Sequence, residues 1–386
     1  MTISVIMANY QGAAYLDAAI ASVLRQTHED LELLVADDAS TDGSAEILTR
    51  WQGRDKRIVP LLSDRNQGAA AARNRCLAAA RGDWIAVVDS DDLLHPDRLR
   101  RMLSVARDRN AAFVADDMLF ISDAPEEAGQ TLLQSLSLCA PRPISAQDMV
   151  LSDVPGQGLP PLGYLKPLIA RAAIGGLRYD ETLQVSEDFD FYLRILIAGP
   201  TALLLPEPTY GYRRHAGSLS HRLSIEAVTR MIAAQPGPSA DMPAELTAAM
   251  ALRDKGLRHK LAYETLVAAV KKRQALSAGA LLLRRPGLLR DLRQSVTERL
   301  ARRAPERTGR TDLKLSLGEG PTGDGMHLRI PQVPAPGGTW SEPPAPIAAR
   351  LSALAAAHDL NVQSTGASGD WALGLVFAQA DGAARA

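Results

Sequence analysis

An α/β fold with a mostly parallel mixed sheet flanked by helices is predicted by three features of the sequence. Short apolar runs alternate with helix-periodic stretches from Ile3 to Asp92. Polar and acidic residues collect at the C-terminal ends of those runs. One run, Trp84-Ile-Ala-Val-Val88, shows no polar alternation, as expected of a parallel strand buried on both faces. It passes directly into Asp89, Asp91 and Asp92. Ligands of such sheets sit outside the carboxyl ends of the strands. The acidic clusters closing the second and fourth strands should therefore meet at one crevice.

Taken in order, Ile3 to Ala8 reads as a strand ending at Asn9-Tyr10-Gln11-Gly12. Leu16, Ile20, Val23 and Leu24 lie at helical spacing in a helix that closes near Gln26-Thr27. Leu31 to Ala36 is a second buried strand, followed by Asp37 and Asp38. Ala39-Ser-Thr-Asp-Gly-Ser44 is a turn whose Asp and Ser can cap a helix over Ala45 to Trp51. Arg57 to Leu62 is a third strand, and Asn66-Gln-Gly-Ala-Ala-Ala-Ala-Arg73-Asn74 opens an Ala-rich helix reaching about Ala80. After the Trp84 strand come a helix over Leu99 to Asp108 and a strand over Ala112 to Met118. Asp116-Asp117 inside that strand read as sheet-edge charges. Pro141 to Pro167 reads as a long irregular crossing over the cleft.

Three carboxylates within four positions at the end of an apolar strand repel one another, and burial sharpens the repulsion. A divalent cation relieves it. Mg²⁺ or Mn²⁺ takes hard oxygen ligands, commonly one or two carboxylates together with substrate phosphates. The plainer alternative is an Asp-rich turn in which Asp92 caps the helix that starts near Pro96, which leaves Asp89 and Asp91 unexplained. No G-x-G-x-x-G follows the first strand, and neither G-x-x-x-x-G-K-[ST] nor G-x-S-x-G is present. Dinucleotide, P-loop and α/β-hydrolase readings therefore lack support.

Val5-Ile-Met-Ala-Asn-Tyr10, Val35-Ala-Asp-Asp-Ala-Ser-Thr-Asp-Gly-Ser44, Asn66-Gln-Gly with Arg73-Asn74, Asp89-Ser-Asp-Asp92 with Pro96, and Ser186-Glu-Asp-Phe189 occur in that order. Together they resemble the family 2 glycosyltransferases, nucleotide-sugar enzymes of the GT-A fold, over residues 1–222. Ala8 departs from the Pro that the family often carries there. The resemblance implies that Asp38 hydrogen-bonds the nucleobase, that Tyr10 lines or stacks on it, and that Arg73 approaches the base or the diphosphate. It further implies that Asp89 contacts the ribose and Asp91 holds the metal bridging the phosphates, with Ala8 and Ser90 among the nucleotide-contacting positions. Bland readings stand beside these: Asp37 as a turn cap, Tyr10 as an edge aromatic, Arg73 as a surface ion-pair partner.

In Leu177 to Arg194, Ser186 can cap a helix that turns Phe189, Leu193 and Leu196 inward. Glu187 and Asp188 then lie in its first turn, where the helix dipole favours negative charge. That placement is common and purely structural. By the resemblance it becomes the site of the catalytic base, Asp188, acting in a single inverting displacement, with Glu187 as the rival. Adjacent helical residues point about 100° apart, so one of the two should face the sugar. Tyr210-Gly-Tyr-Arg-Arg-His-Ala-Gly-Ser-Leu-Ser-His221 resembles the segment that closes over the donor. Arg213 and Arg214 are candidates for holding a diphosphate, and His215 for contacting metal or diphosphate.

The formal charge of −1 gives no indication of a nucleic-acid partner. It hides a split, because Arg253 to Arg310 carries 16 Lys and Arg against 5 Asp and Glu. Cys76 and Cys139 sit in no metal-ligand spacing, so reduced thiols and a cytoplasmic protein are expected. Met-Thr-Ile-Ser-Val-Ile enters a strand without a basic leader, and no apolar run approaches a membrane span. Residues 243–276 and 288–304 read as helices. Gly279 to Arg293 interleaves Leu with Arg. It is either the apolar side of a helical pack with solvated charges or a contact with anionic lipid at the inner face of the cell membrane. Residues 311–344 form a Gly/Pro-rich linker with strands at 313–317 and 327–330. A helix over 347–358 and a strand over 371–377 would complete a small α+β module.

The expected organisation is a GT-A-like domain (1–223), a basic helical extension (224–310) and the linker with its accessory module (311–386). The expected activity is metal-dependent transfer from a nucleotide sugar, UDP-linked by the resemblance, to a glycan or lipid-linked acceptor in polysaccharide biosynthesis. The alternatives are a sugar-phosphate nucleotidyltransferase and a non-catalytic scaffold binding sugar nucleotides or membranes.

Overall fold

Four parallel strands joined by helices form the first half of the main sheet. The computed structural model describes residues 1–122, 129–214, 223–237, 239, 241–293, 314–320, 323–331, 360–367 and 370–377. β1 (Ile3–Asn9), α1 (Ala13–Leu24), β2 (Leu31–Asp37), α2 (Ser44–Gln52), β3 (Ile58–Leu62), α3 (Ala69–Ala79) and β4 (Trp84–Asp89) follow the expected alternation. β1 lies between β2 and β4, in parallel register with both. Asn9 stands opposite Asp37, and Ala8 opposite Asp89. The acidic ends of β2 and β4 thus flank β1 on one edge of the sheet. Every β2 residue is buried, and each buried Val, Leu or Ile contributes about 1.5–3 kcal/mol. Gly82, ahead of β4, is required by close approach: a Cβ there would lie 2.7 Å from both the Ser4 nitrogen and the Thr2 oxygen.

β5 (Leu93–Leu94) and α4 (Arg98–Asp108) come next. The helix buries Leu99, Met102, Leu103 and Ala106, one face at helical spacing. Asp92 does not cap this helix. Asp97 occupies the cap position, while Asp92 precedes β5 and is bonded elsewhere. The strand expected over Ala112 to Met118 is broken into β6 (Phe113–Ala115) and β7 (Met118–Ser122). Nor are Asp116 and Asp117 edge charges; both are buried. Asp116 receives two hydrogen bonds from Arg98, at 2.7 and 2.8 Å. Asp117 accepts from the Met118 and Leu133 amides. These bonds compensate buried carboxylates at the point where the chain leaves one sheet for another.

The crossing from Pro141 to Pro167 is also more ordered than its composition suggests. It holds β8 (Arg142–Pro143), α5 (Ala146–Ser152) and a 3₁₀ turn at Leu162–Tyr164. A reciprocal Ser145–Asp148 capping box starts α5. β9 (Leu168–Ala170), α6 (Arg171–Ile174), α7 (Glu187–Ile197), β10 (Ala202–Leu204) and β11 (Tyr210–Arg214) follow. The main sheet is mixed and mostly parallel, in the order β3-β2-β1-β4-β9-β6-β10-β8. A second sheet has the order β5-β11-β7.

α8 (Ile225–Ala234), α9 (Ala244–Lys271) and α10 (Ala275–Arg284) form the helical extension, and a further helical turn begins at Leu288. Leu246, Ala249 and Met250 of α9 join the main core. Arg253 pairs with Asp153 at 2.7 Å and lies over the Phe189 ring at 4.1 Å. Farther on, β12 (Lys314–Gly320), β13 (Gly323–Pro331), β14 (Leu360–Ala367) and β15 (Asp370–Phe377) make an antiparallel sheet ordered β12-β13-β15-β14. The strand β14 was not expected from the sequence. The helix expected over 347–358 and the end of that expected over 288–304 lie outside the described residues.

Candidate active site

The site grows from the ends of β1, β2 and β4. Asp37 accepts from the Asn9 side chain at 2.7 Å and from the Ser40 amide at 2.9 Å. It is therefore the turn cap of its plain reading. Asp42 accepts from the Ala13 amide and from Ser44, which ties the β2–α2 turn to the start of α1. Asp38 is buried, with one oxygen taking the Gln67 and Gly68 amides at 2.8 and 2.7 Å and the other bonded to Arg75 at 3.1 Å. In this structure Asp38 braces the entry to α3 and pairs with Arg75. Tyr10 stands on the rim, 54% exposed, with an aromatic face available for stacking.

Behind the rim lies a buried ionic network. One Arg73 nitrogen bonds Asp89 at 2.8 Å, and the other bonds Glu187 at 2.8 Å and lies 3.5 Å from Asp188. Lys166 joins the same partners, 2.7 Å from Asp89 and 2.8 Å from Asp188. Arg73 is thus not a surface ion-pair partner. It is buried between β4 and the first turn of α7. Ser186 occupies the cap position of α7 in a left-handed conformation, φ 66°, without a side-chain cap bond. The expected capping by its hydroxyl is absent, and the charges of the first turn are met by Arg73 and Lys166 instead.

Burial would raise the Asp89 carboxyl, but the charges of Lys166 and Arg73 bring it down to about 2. Burial would likewise discharge Lys166, yet Asp188 and Asp89 hold its ammonium well above the ordinary range. Glu187 moves the other way: burial raises it despite the pull of Arg73.

The Asp loop is clamped from β11. The Tyr210 hydroxyl donates to Asp92 at 2.7 Å and accepts from the Asp89 amide at 3.1 Å. The Arg213 amide donates to the other Asp92 oxygen at 2.7 Å, and its side chain donates to the Asp91 carbonyl at 2.8 Å. Arg213 lies over the Tyr15 ring and Arg214 over Phe120. Arg213 borders the Asp loop, whereas Arg214 stands opposite Ser122 of β7; His215 lies outside the described residues. Ser90 is half-buried beside the Asn9 turn, where its hydroxyl would stand 3.2 Å from a Cβ on Gly12.

Asp89, Asp91 and Asp92 each offer a carboxylate oxygen, all within 4.8 Å of one another. Burial, with the charges of Asp91 and Asp89, pushes Asp92 far above the usual carboxylate range. Such an all-oxygen set, with three carboxylates this close, fits a hard divalent cation. Tyr210→Phe should cost about 1–3 kcal/mol in urea unfolding, because buried Asp92 loses a donor; a change within error would remove Tyr210 from the clamp.

Lys166 and Tyr210 were not singled out as site residues from the sequence. Lys166 is a lone basic residue before a proline, with no local signal. Tyr210 heads the segment already noted but resembles any strand aromatic.

A family model described as Glycosyl transferase family 2 matches residues 4–147. The succinoglycan biosynthesis protein ExoO of Rhizobium meliloti (strain 1021) is 30% identical over 306 residues, covering 78% of this chain and 87% of that protein. The chain belongs to glycosyltransferase family 2. This glycosyltransferase is also 29% identical over 218 residues to the putative teichuronic acid biosynthesis glycosyltransferase TuaG of Bacillus subtilis (strain 168), covering 56% of the chain and 81% of that protein. The solved structure of S. aureus TarS in complex with UDP-GlcNAc is similar in fold, with TM-score 0.53 and 18% identity over 67% of this chain and 71% of that one. The GT-A-like architecture of the glycosyltransferase is thus shared with that solved structure, and with family membership shown the nucleotidyltransferase alternative falls away.

Proposed function

We propose that this glycosyltransferase transfers a sugar from a UDP-sugar to a glycan or lipid-linked acceptor, by one displacement with inversion, in polysaccharide biosynthesis. The observation that carries the reading is the bridge of Lys166 between Asp89 and Asp188, which joins the Asp loop to the proposed base across one buried ammonium. The relatives named for succinoglycan and teichuronic acid biosynthesis support the pathway, and the TarS complex with UDP-GlcNAc supports the donor class.

In this reading Tyr10, with Ala8 and Ser90, lines the nucleotide pocket, and Asp38 faces the base. Asp89 faces the ribose, and Arg73 holds Asp89 and the α7 carboxylates in place. Arg213 and Arg214 border the diphosphate. Asp91 is the proposed metal ligand, with His215 as a second. Mn²⁺ or Mg²⁺ bound there would offset the charge that develops on the departing diphosphate. Asp188 accepts the proton of the acceptor hydroxyl as its oxygen bonds the anomeric carbon, while the bond to the diphosphate breaks with its electron pair. Lys166 holds one Asp188 oxygen at 2.8 Å, and the other, 3.5 Å from Arg73, is the one proposed to take the proton. The three-part division at 223/224 and 310/311 is proposed with it, α9 being the joint to the catalytic core.

Two measurements test this reading. UDP at a hundredfold excess over its dissociation constant should stabilise the protein by about 2.7 kcal/mol with Mn²⁺ present. It should do far less in EDTA, and Asp91→Ala should abolish the difference. Equal stabilisation under both conditions would count against the metal role. Release of sugar from a UDP-sugar panel would separate an enzyme from a sugar-nucleotide-binding scaffold.

A further inference from the structure

α10 packs back on α9, with Ala278, Leu281 and Leu282 half-buried. Its outer face does the opposite. Leu276 is 92% exposed and Leu283 87% exposed. With exposed Ala280 between them, they stand at i, i+4 and i+7, a single stripe along the helix. Basic residues gather at both ends of this stripe. Lys271, Lys272 and Arg273 precede it, and Arg284, Arg285, Arg290 and Arg293 follow. Asp291 is the one acidic residue between 271 and 293, and it is engaged by His259 at 2.7 Å.

We propose that this face of α10 docks the glycosyltransferase onto an anionic lipid bilayer. Two isolated leucines make too little contiguous apolar surface for a stable protein interface. They suit a bilayer, where each can enter the acyl boundary while flanking Lys and Arg stay with the headgroups. A second copy of the chain fits poorly, since a two-fold contact through this face would set like charges against each other. Among the described residues no helix is long and apolar enough to cross a membrane, so the contact is a surface one. A small apolar insertion combined with a polybasic patch is the two-signal arrangement that holds peripheral proteins reversibly.

The full chain is sedimented with vesicles of mixed phosphatidylglycerol and phosphatidylcholine, and with phosphatidylcholine alone, at low and high salt. The expected result is binding to the anionic vesicles that falls at high salt. Leu276→Glu/Leu283→Glu should weaken it by about tenfold or more, with melting temperature and sugar release in solution unchanged. Both positions are exposed, so the variant should fold. A second variant, Lys271→Gln/Lys272→Gln/Arg273→Gln, should weaken anionic binding and leave the phosphatidylcholine signal alone. Equal binding to both vesicle types, no binding at low salt, or full binding by the leucine variant would overturn the proposal. So would a dimer in light scattering that the leucine variant dissolves without any vesicle binding, which would assign the face to a second copy.

Discussion

Asp188→Asn is expected to lower sugar transfer by about 10²–10⁴-fold, the usual contribution of a positioned general base. Asn keeps the shape of the side chain but has no lone pair basic enough to take the acceptor proton. UDP binding in the presence of metal should change little, because Asp91 and the Asp loop are untouched. The structure adds a complication: Asp188 carries one of two ion pairs to buried Lys166, so unfolding is measured on the same variant. A large drop in turnover with UDP affinity and melting temperature near wild type assigns the base. Glu187→Gln should do less, since Glu187 leaves the helix about 100° away from Asp188 and is committed to Arg73. Near-wild-type turnover in Asp188→Asn would move the base to Glu187 or off α7.

Arg98→Met is expected to destabilise the fold by about 3–5 kcal/mol, as removal of one member of a buried ion pair does. Arg98 is fully buried and forms a two-pronged contact with Asp116, which also accepts from the Thr209 hydroxyl. Methionine fills most of the space but leaves a buried carboxylate without its cation. Arg98→Met/Asp116→Asn removes the orphan charge and should recover much of the loss. A urea-unfolding difference below about 1 kcal/mol for the single variant would defeat this account. Activity should fall as well. Arg98 donates to the Lys166 carbonyl and lies 4.8 Å from the centre of the Tyr210 ring, so it supports both the residue that orients Asp188 and the residue that clamps Asp92.

The sequence by itself determined the α/β order, the parallel character of the sheet and the meeting of its acidic strand ends. These follow from signals carried within single elements: buried apolar runs, helical spacing, and polar residues at strand ends. The five ordered motifs also pointed to the family, because their residues are read as contiguous strings. Tertiary structure alone decided which charges meet. Arg73 reaches Glu187 across 114 positions, Tyr210 reaches Asp92 across 118, and Lys166 joins Asp89 to Asp188 from a proline-rich crossing. Nothing local marks a lysine as a buried bridge, since its partners depend on which strand ends fold beside it. The same reason explains the misreading of Asp116 and Asp117: an acidic pair in a short strand looks like an edge until a buried arginine and backbone amides satisfy it. Between Leu276 and Leu283 the ambiguity was of another kind. Leucine interleaved with arginine is compatible with either face of a helix pack, and packing against α9 is what turned these two leucines outward.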